Sequence, residues 1–296
     1  MVSVLECFIA KTMPFSCYSD EKASFNIIGI PLENSVTYRP GTRFAPRSIR
    51  EASCNIEFYS IYNDRDVEDL LFNDIGDIIV VPGDNTKSLQ RIERVSRELL
   101  ELYPNKIPIY IGGEHTLTYA TTKPYNDVGV IVFDAHADLR SEYQGYSFGH
   151  ASVLRRIVER YDSDWKPLIV GVRALSKEEV EFIKSVNIPV VKTKDILFDM
   201  RKALRMIDEY TSTYNRIYLS IDMDVFDPAY APGVSNPEPI GISPLDLLRI
   251  VGEIVSRSSI VGIDIVEVNP ISDVNDVTSL LAAKIIVEIA SMIQFK

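Results

Sequence analysis

Two short segments of the chain, DAHAD and SIDMD, place aspartate and histidine at alternate positions. The side chains concerned are Asp134, His136 and Asp138 in the first segment and Asp222 and Asp224 in the second. In an extended chain, alternate side chains point to the same face. Converging carboxylates repel one another, so a cation is needed to hold them together. The spacing therefore predicts a metal site that both segments help to build.

A third segment, Ile107–Thr118, begins with an apolar run, continues as Gly-Gly-Glu-His, and adds His115 to the candidate ligands. DAHAD and SIDMD also follow apolar runs of strand length. The carboxyl ends of buried strands are where open α/β sheets bind their ligands. The third histidine of the chain, His150, follows Asp138 by 12 positions. Two histidines and four aspartates at strand ends favour a metal site over packed or solvated polar residues.

The candidate ligands also indicate which metal and which chemistry to expect. Two imidazoles and four carboxylates without a thiolate suit a borderline-hard divalent ion such as Mn²⁺ better than a structural Zn²⁺. Two divalent ions would balance the charge of the four aspartates, and a neutral or slightly negative site suits a cationic substrate. Two metal ions that share one hydroxide are typical of hydrolases.

The elements that must position these residues alternate between strands and helices. The candidate strands are Asn26–Leu32, Asp77–Val81, Ile107–Ile111, Val128–Phe133, Leu168–Val172, Ile188–Val191, Arg216–Ile221 and Ile260–Val266. The candidate helices are Thr86–Tyr103, His150–Tyr161, Ser176–Val186, Arg201–Tyr210, Ser243–Ser256 and Asp276–Gln294, with a further one from Pro46 to about Ala52. This alternation predicts a three-layer α/β/α fold with a mostly parallel sheet of about eight strands. No linker or repeat interrupts it, so we expect a single domain over residues 1–296.

Composition narrows the class of protein. The chain has 296 residues with 46% hydrophobic and 25% charged residues, which is ordinary for a soluble globular protein. Its net charge of −11 argues against a nucleic-acid partner. No stretch reaches the ~18 apolar residues that a membrane span needs. Cys7, Cys17 and Cys54 show no pairing pattern and no secretory signal is recognisable, so we expect a reducing compartment, no disulfide framework and a cytoplasmic location.

Four motifs resemble, in chain order, the signature segments of the ureohydrolases, the arginase and agmatinase family. They are GGEHTLT, DAHADLR, SIDMDVFDPAYAPG and VEVNP. Further similar segments, such as TYRPGTRFAPRSIRE and TSLLAAKII, extend the resemblance over most of the chain. The resemblance implies an arginase/deacetylase-like fold, two Mn²⁺ ions per subunit, and a homo-oligomer that is a trimer or hexamer.

The resemblance also implies a place for each candidate ligand. One Mn²⁺ ion would be held by His115, Asp134, Asp138 and Asp222. The other would be held by His136, Asp134, Asp222 and Asp224. Asp134 and Asp222 would therefore bridge the two ions.

The catalytic residues that the resemblance implies are His150, Asp138 and Glu267. Glu267, in VEVNP, would receive the guanidinium group of the substrate, and Asp138 would act as a metal ligand. A metal-bridging hydroxide would attack the guanidinium carbon, and His150 would protonate the leaving amine. The expected reaction converts agmatine to putrescine and urea.

The choice of substrate stays open at this point. The loop Leu139–Gly149 looks like the agmatinase version, and Glu142 could supply negative charge for the distal amine. Arg140 could instead pair with a carboxylate substrate such as 4-guanidinobutyrate, although a surface salt bridge is favoured for it. The segment SNPEPIGIS departs from the commonest family pattern, which leaves the length of the accepted amine open, so N1-aminopropylagmatine remains an alternative. Arginine is a further alternative within the family.

Two acidic residues beside the motifs are expected to be structural. Glu114 should lie behind the ligands or be a satisfied loop carboxylate. Asp227 should be a turn residue, or lie behind the ligands, rather than bind a third metal ion. Deacetylases of the same fold need only one metal-binding histidine. A non-catalytic member of the fold is a remote alternative, because such a member should have lost at least one ligand.

Overall fold

A nine-stranded sheet forms the centre of the molecule, whose computed structural model describes residues 3–67, 72–161 and 165–294. The strands in these ranges are β1 (Ile9–Ala10), β2 (Phe25–Ile30), β3 (Tyr59–Ser60), β4 (Arg65–Asp66), β5 (Phe72–Ile78), β6 (Ile107–Gly112), β7 (Gly129–Phe133), β8 (Leu168–Val172), β9 (Val190–Lys192), β10 (Arg216–Asp222) and β11 (Ser259–Val266). The α-helices are α1 (Val4–Phe8), α2 (Ala45–Ser53), α3 (Asn85–Leu102), α4 (Thr118–Thr122), α5 (Val153–Arg160), α6 (Lys177–Val186), α7 (Thr193–Phe198), α8 (Met200–Thr213), α9 (Pro244–Arg257) and α10 (Val277–Met292). Short 3₁₀ turns lie at Phe15–Cys17, Thr42–Phe44, His115–Leu117, His150–Ser152 and Met223–Val225.

The strands of the central sheet run in the order β1-β5-β2-β6-β11-β10-β7-β8-β9. Every pair in this sheet is parallel except β1 with β5, which is antiparallel. The last strand of the chain, β11, therefore lies at the centre, between β6 and β10. The mostly parallel sheet predicted from the sequence is confirmed, with one more strand than expected.

Helices cover both faces of this sheet, because its strands are buried on both sides. Ile109, Ile131 and Leu219 point to one face, where they pack with apolar residues of α2, α8, α9 and α10. Alternate residues of the same strands, such as Tyr110 and Val132, pack on the other face with α3, α4, α5 and α6. Two apolar cores thus stabilise one sheet, which is the arrangement expected of the three-layer fold.

The helix starts follow the local sequence signals. Ser243 caps α9 by accepting a hydrogen bond from the backbone N–H of Asp246, and Pro244 occupies the first helical position, as the sequence predicted. Ser176 caps α6 in the same way and forms a capping box with Glu179. No helix within the described ranges is both long enough and apolar enough to cross a membrane. The apolar helix α10 packs instead in the core.

The largest error in a strand prediction concerns β5, which begins five residues before the predicted Asp77–Val81 and ends at Ile78. Arg50 of α2 is fully buried against this strand, with its Nε 2.7 Å from Asp74 Oδ2 and its Nη1 2.6 Å from Asp77 Oδ1. Because β5 carries these two aspartates, it lacks the continuous apolar run from which a buried strand is predicted. The strands β1, β3 and β4 were not predicted because each has only two residues, too few to show an alternating pattern.

The cysteine prediction was wrong for two of the three residues. Cys17 and Cys54 form a disulfide with their Cα atoms 5.3 Å apart, although 37 positions separate them in the sequence. The bond joins the turn Phe15–Cys17 to the residue that ends α2. Cys7 is exposed and free. Spacing along the chain could not show this proximity, and the cysteines no longer support a reducing compartment.

Removal of the disulfide is expected to destabilise the protein. The bond closes a loop of 37 positions, and its loss should lower the free energy of unfolding by roughly 2–4 kcal/mol because the unfolded chain gains entropy. Thermal melting of Cys54→Ser measures this effect, and Cys7→Ser is the matched control because Cys7 is unpaired. Equal melting temperatures for the two variants under non-reducing conditions would contradict the expectation.

Candidate metal centre

The candidate site lies at the carboxyl ends of β6, β11, β10 and β7, four strands that are neighbours in the sheet. His115 follows β6, Glu267 follows β11 and Asp222 ends β10. Asp134 follows β7 and opens the segment that also carries His136 and Asp138. Parallel neighbours bring these strand ends together, so the predicted convergence of the three segments is what the structure shows.

One group of side chains surrounds the Nδ1 atom of His115. Three carboxylate oxygens lie near this atom: Asp138 Oδ2 at 3.1 Å, Asp134 Oδ2 at 3.2 Å and Asp222 Oδ2 at 3.3 Å. His115 is fully buried, and neither its Nδ1 nor Asp134 Oδ2 has a hydrogen-bond partner. Buried polar atoms without a partner are rare and call for an explanation such as an ion. A metal ion would supply the missing partner for both atoms.

A second group surrounds the Nδ1 atom of His136. Asp224 Oδ2 lies 2.9 Å and Asp134 Oδ1 lies 3.5 Å from this atom. Asp134 therefore takes part in both groups, with one oxygen near each histidine. The ligand-type atoms of His115, Asp134 and Asp138 lie within 4.8 Å of one another, and so do those of Asp134, His136 and Asp224. This donor set fits two ions that share Asp134, as the resemblance implied, and the individual ligand roles stay predictions.

The electrostatics of the cluster also fit cation binding. Burial and the negative charge of Asp134 raise the pKa of Asp138 to about 7, and burial with the charges of Asp224 and Asp134 raises the pKa of Asp222 well above its usual range. Burial opposes the charged form of His115, but three neighbouring carboxylates outweigh it and raise the pKa of the imidazole. The charged form of these buried carboxylates is therefore unfavourable unless a positive charge lies nearby.

Local backbone geometry aims two of the predicted residues into the site. Asp138 and Glu267 both have a left-handed backbone, with φ of 51° and 64°. Such conformations are uncommon outside glycine and asparagine and cluster at functional sites.

A glycine is required at position 113 beside the site, because a Cβ atom on Gly113 would lie 1.9 Å from the carbonyl oxygen of Leu32. Strand β6 can therefore approach the loop after β2 closely only at a glycine.

Glu267 is buried beside the cluster and lines the cavity that opens onto it. Its Oε1 accepts a hydrogen bond of 2.7 Å from the backbone N–H of His115, and its own N–H donates to Gly113 O at 3.0 Å. Burial raises the pKa of Glu267 to about 8. The carboxylate is thus held next to a candidate metal ligand, where it can face a bound cation.

His150 lines the same cavity and is held by two hydroxyl groups from the loop after β2. Its Nδ1 lies 3.4 Å from Ser35 Oγ, and its Nε2 lies 3.3 Å from Thr37 Oγ1. Burial lowers the pKa of this imidazole. The side chain of His150 therefore does not serve only as a helix cap, because its two ring nitrogens lie beside hydroxyl groups of another loop.

Sequence reasoning missed a buried network behind His115. Its Nε2 lies 3.1 Å from Ser220 Oγ, which donates to Asp264 Oδ1 at 2.5 Å. Tyr218 and Thr118 also donate to Asp264. Carboxylates that act on a metal-binding histidine in this way orient its ring and fix its tautomer. The only signal in the sequence was one aspartate within the apolar strand β11.

Glu114 and Asp227 have the structural positions predicted for them. Glu114 is fully buried and accepts hydrogen bonds from Ser35 N, Ser35 Oγ and Thr116 Oγ1, so it is a satisfied loop carboxylate. Asp227 accepts hydrogen bonds from the backbone N–H groups of Ala229 and Gly241 and thereby fixes a turn.

The outer part of the site is a cavity of about 340 Å³. Arg140 lines it with its guanidinium carbon 4.6 Å from the centre of the Tyr143 ring, and none of the ion pairs among the described residues includes Arg140. The salt bridge predicted for Arg140 was therefore wrong. Glu142, considered above as the source of negative charge, is exposed and is not among the described residues that line the cavity. Glu238, which the sequence analysis did not single out, lines the cavity instead.

Comparisons with known proteins agree with this geometry. The model of the arginase family matches residues 23–291. An N(1)-aminopropylagmatine ureohydrolase of Thermococcus kodakarensis is 37% identical, with 93% of this chain and 92% of that protein covered. An agmatinase of Bacillus anthracis is 36% identical, with 96% of both chains covered. The crystal structure of an agmatine ureohydrolase of Thermoplasma volcanium superposes with a TM-score of 0.82 at 32% identity, with 97% of this chain and 96% of that one covered.

Proposed function

We propose that this chain, a hydrolase that belongs to the arginase family, cleaves the guanidinium group of agmatine to urea and putrescine with two Mn²⁺ ions bound. The observation that carries the proposal is the convergence of two histidines and four aspartates at one cavity, with Glu267 and His150 on its wall. The oxygen-rich ligand set suits Mn²⁺, and the ions would supply a nucleophile by lowering the pKa of bound water.

The residues of this chain have separate tasks in the proposed reaction. Glu267 binds the guanidinium group and turns its carbon toward the cluster, because its buried carboxylate is fixed by the N–H of His115. His150 donates a proton to the amine that leaves, and the hydroxyl groups of Ser35 and Thr37 hold its ring in place. Burial of the cluster keeps bulk water away from the reacting groups.

Substrates with a cationic distal end are favoured over those with a carboxylate. Arg140 is the one lysine or arginine among the described residues that line the cavity, and its guanidinium is already stacked on Tyr143. 4-Guanidinobutyrate and arginine are therefore the weaker alternatives. N1-aminopropylagmatine is the second candidate, because the Thermococcus kodakarensis relative is named for it and is 37% identical to this chain over 274 aligned residues.

A substrate panel with Mn²⁺ supplied tests the proposal. We expect urea release from agmatine or N1-aminopropylagmatine with a kcat/KM at least ~10-fold above that for arginine and 4-guanidinobutyrate, since only the first two lack a carboxylate that must be desolvated. The matched control is the same protein after treatment with a chelator, which should release no urea. Preferred hydrolysis of a carboxylate substrate would contradict the proposed substrate, and no urea from any compound would contradict the proposed function.

A further inference from the structure

One carboxylate of the cavity wall has no task in the machinery described so far. Glu238 lies in the loop between the turn Met223–Val225 and α9, and its side chain is 38% exposed. Its carboxylate accepts no hydrogen bond from the described residues. Its nearest charged neighbour is Nε2 of His136, and the distance of 3.7 Å from Oε1 is too long for a hydrogen bond.

The other carboxylates of the cavity wall are already in use. Glu179 accepts hydrogen bonds from Ser176 N and Oγ and from Leu139 N. Glu267 accepts the N–H of His115, and the three aspartates of the wall belong to the metal cluster. Glu238 is thus the one glutamate of the described wall whose carboxylate accepts no hydrogen bond, and its ion-pair contact is the 3.7 Å one with His136.

The backbone at Glu238 is held in place by hydrogen bonds from one arginine. Arg173 donates from Nη2 to Glu238 O at 2.7 Å and to Asp224 O at 2.7 Å. Its Nη1 donates to Val225 O at 3.0 Å, and its Nε donates to Pro239 O at 3.1 Å. One guanidinium therefore ties the backbone of Glu238 to the backbone of a candidate metal ligand. Binding groups held in place before the ligand arrives lose little entropy when it binds.

The surroundings of Glu238 leave room for a cation beside it. His136 lies beyond hydrogen-bond distance, so the carboxylate oxygens remain able to accept from a ligand in the cavity. The described residues offer it no lysine or arginine within ion-pair distance. A carboxylate at a cavity mouth that accepts no hydrogen bond and has no lysine or arginine beside it can bind an ammonium ion.

We propose that Glu238 binds the ammonium group at the end of the substrate opposite the guanidinium, and so makes this chain selective for guanidino-amines. This inference rests on the proposed function and adds the residue that recognises the distal end. Glu267 and Glu238 then act at the two ends of one dicationic substrate. Alkylguanidines without a distal ammonium group bind only at the first end, and guanidino acids are repelled at the second.

The test compares Glu238→Gln with Glu142→Gln, since Glu142 is an exposed glutamate beside the cavity that does not line it. Agmatine and n-butylguanidine serve as substrates because they share a four-carbon chain and differ in the distal amine. We expect Glu238→Gln to raise the KM for agmatine roughly 10- to 100-fold with little change in kcat, the range of a hydrogen bond to a charged group. The KM for n-butylguanidine should stay unchanged, and Glu142→Gln should resemble the wild type with both substrates.

Manganese content and the binding of 1,4-diaminobutane, measured by calorimetry, complete the test. Equal losses with both substrates and a lower manganese content in Glu238→Gln would overturn the proposal, because Glu238 would then position His136 instead. If the wild type releases urea from neither substrate, the proposed function fails and calorimetry alone decides. Weaker diamine binding by Glu238→Gln than by Glu142→Gln supports the role of Glu238, and equal binding overturns it.

Discussion

Asp134→Asn is expected to reduce urea release by roughly 10²- to 10⁴-fold, more than His115→Asn or His136→Asn. Asp134 Oδ2 lies 3.2 Å from Nδ1 of His115, and its Oδ1 lies 3.5 Å from Nδ1 of His136, so its loss disturbs both groups of ligands. A loss of about 3–5 kcal/mol of transition-state stabilisation corresponds to the stated range of rates. Asp222→Asn should behave like Asp134→Asn if it also bridges the ions. Activity and manganese content on the same preparation measure both effects.

Asp227→Asn is the matched control for this experiment. Asp227 follows Asp224 by three positions and accepts hydrogen bonds from the backbone N–H groups of Ala229 and Gly241. Asp227→Asn should leave urea release within about threefold of the wild type, as is usual for substitutions away from a site. A smaller loss in Asp134→Asn than in the histidine variants, at equal manganese supply, would show that Asp134 does not bridge.

His150→Ala is expected to lower kcat by roughly 10²-fold with manganese content unchanged. The imidazole lies on the cavity wall between Ser35 and Thr37 and is separate from the candidate ligands, so its removal should affect proton transfer and leave the cluster intact. The size of the loss is that of general acid–base catalysis by one group. Added imidazole should restore part of the rate, because it can enter the space that the side chain leaves.

A structural role for the same residue would give a different set of results. Ser152→Ala is the control, because Ser152 Oγ accepts the N–H of Gly149 at the start of this helical segment. That variant should lower the melting temperature and leave kcat nearly unchanged, since loss of a cap costs about 1 kcal/mol. If His150→Ala behaves in the same way as Ser152→Ala, His150 is not the proton donor.

The sequence predicted the arrangement of the site because its pattern is local. DAHAD and SIDMD carry their ligands at alternate positions directly after apolar strands, and strands of a parallel sheet end at one edge. Residue types and spacing were therefore enough to identify the six candidate ligands. Motifs similar to those of a known family then added Glu267 and His150, which lie on other strands and loops.

Features that depend on distant pairs could not be predicted in this way. Cys17 and Cys54 meet only because the turn before β2 packs on the end of α2, and nothing in their spacing shows it. Asp74 and Asp77 interrupt the apolar pattern of β5, and the sequence does not show that they pair with the distant Arg50. Glu238 lies in a loop without periodicity, and its place in the cavity depends on Arg173, which is 65 positions away.

The central position of β11 has a consequence for how the chain acquires its site. Without β11 the sheet would consist of two separate four-stranded pieces, β1-β5-β2-β6 and β10-β7-β8-β9. His115 belongs to the first piece, whereas the candidate aspartates and His136 belong to the second. During synthesis both pieces leave the ribosome before the strand that must join them, and pairing between segments so distant in sequence is slow. Assembly of the metal centre therefore awaits insertion of the last strand, so acquisition of metal should coincide with the final step of folding.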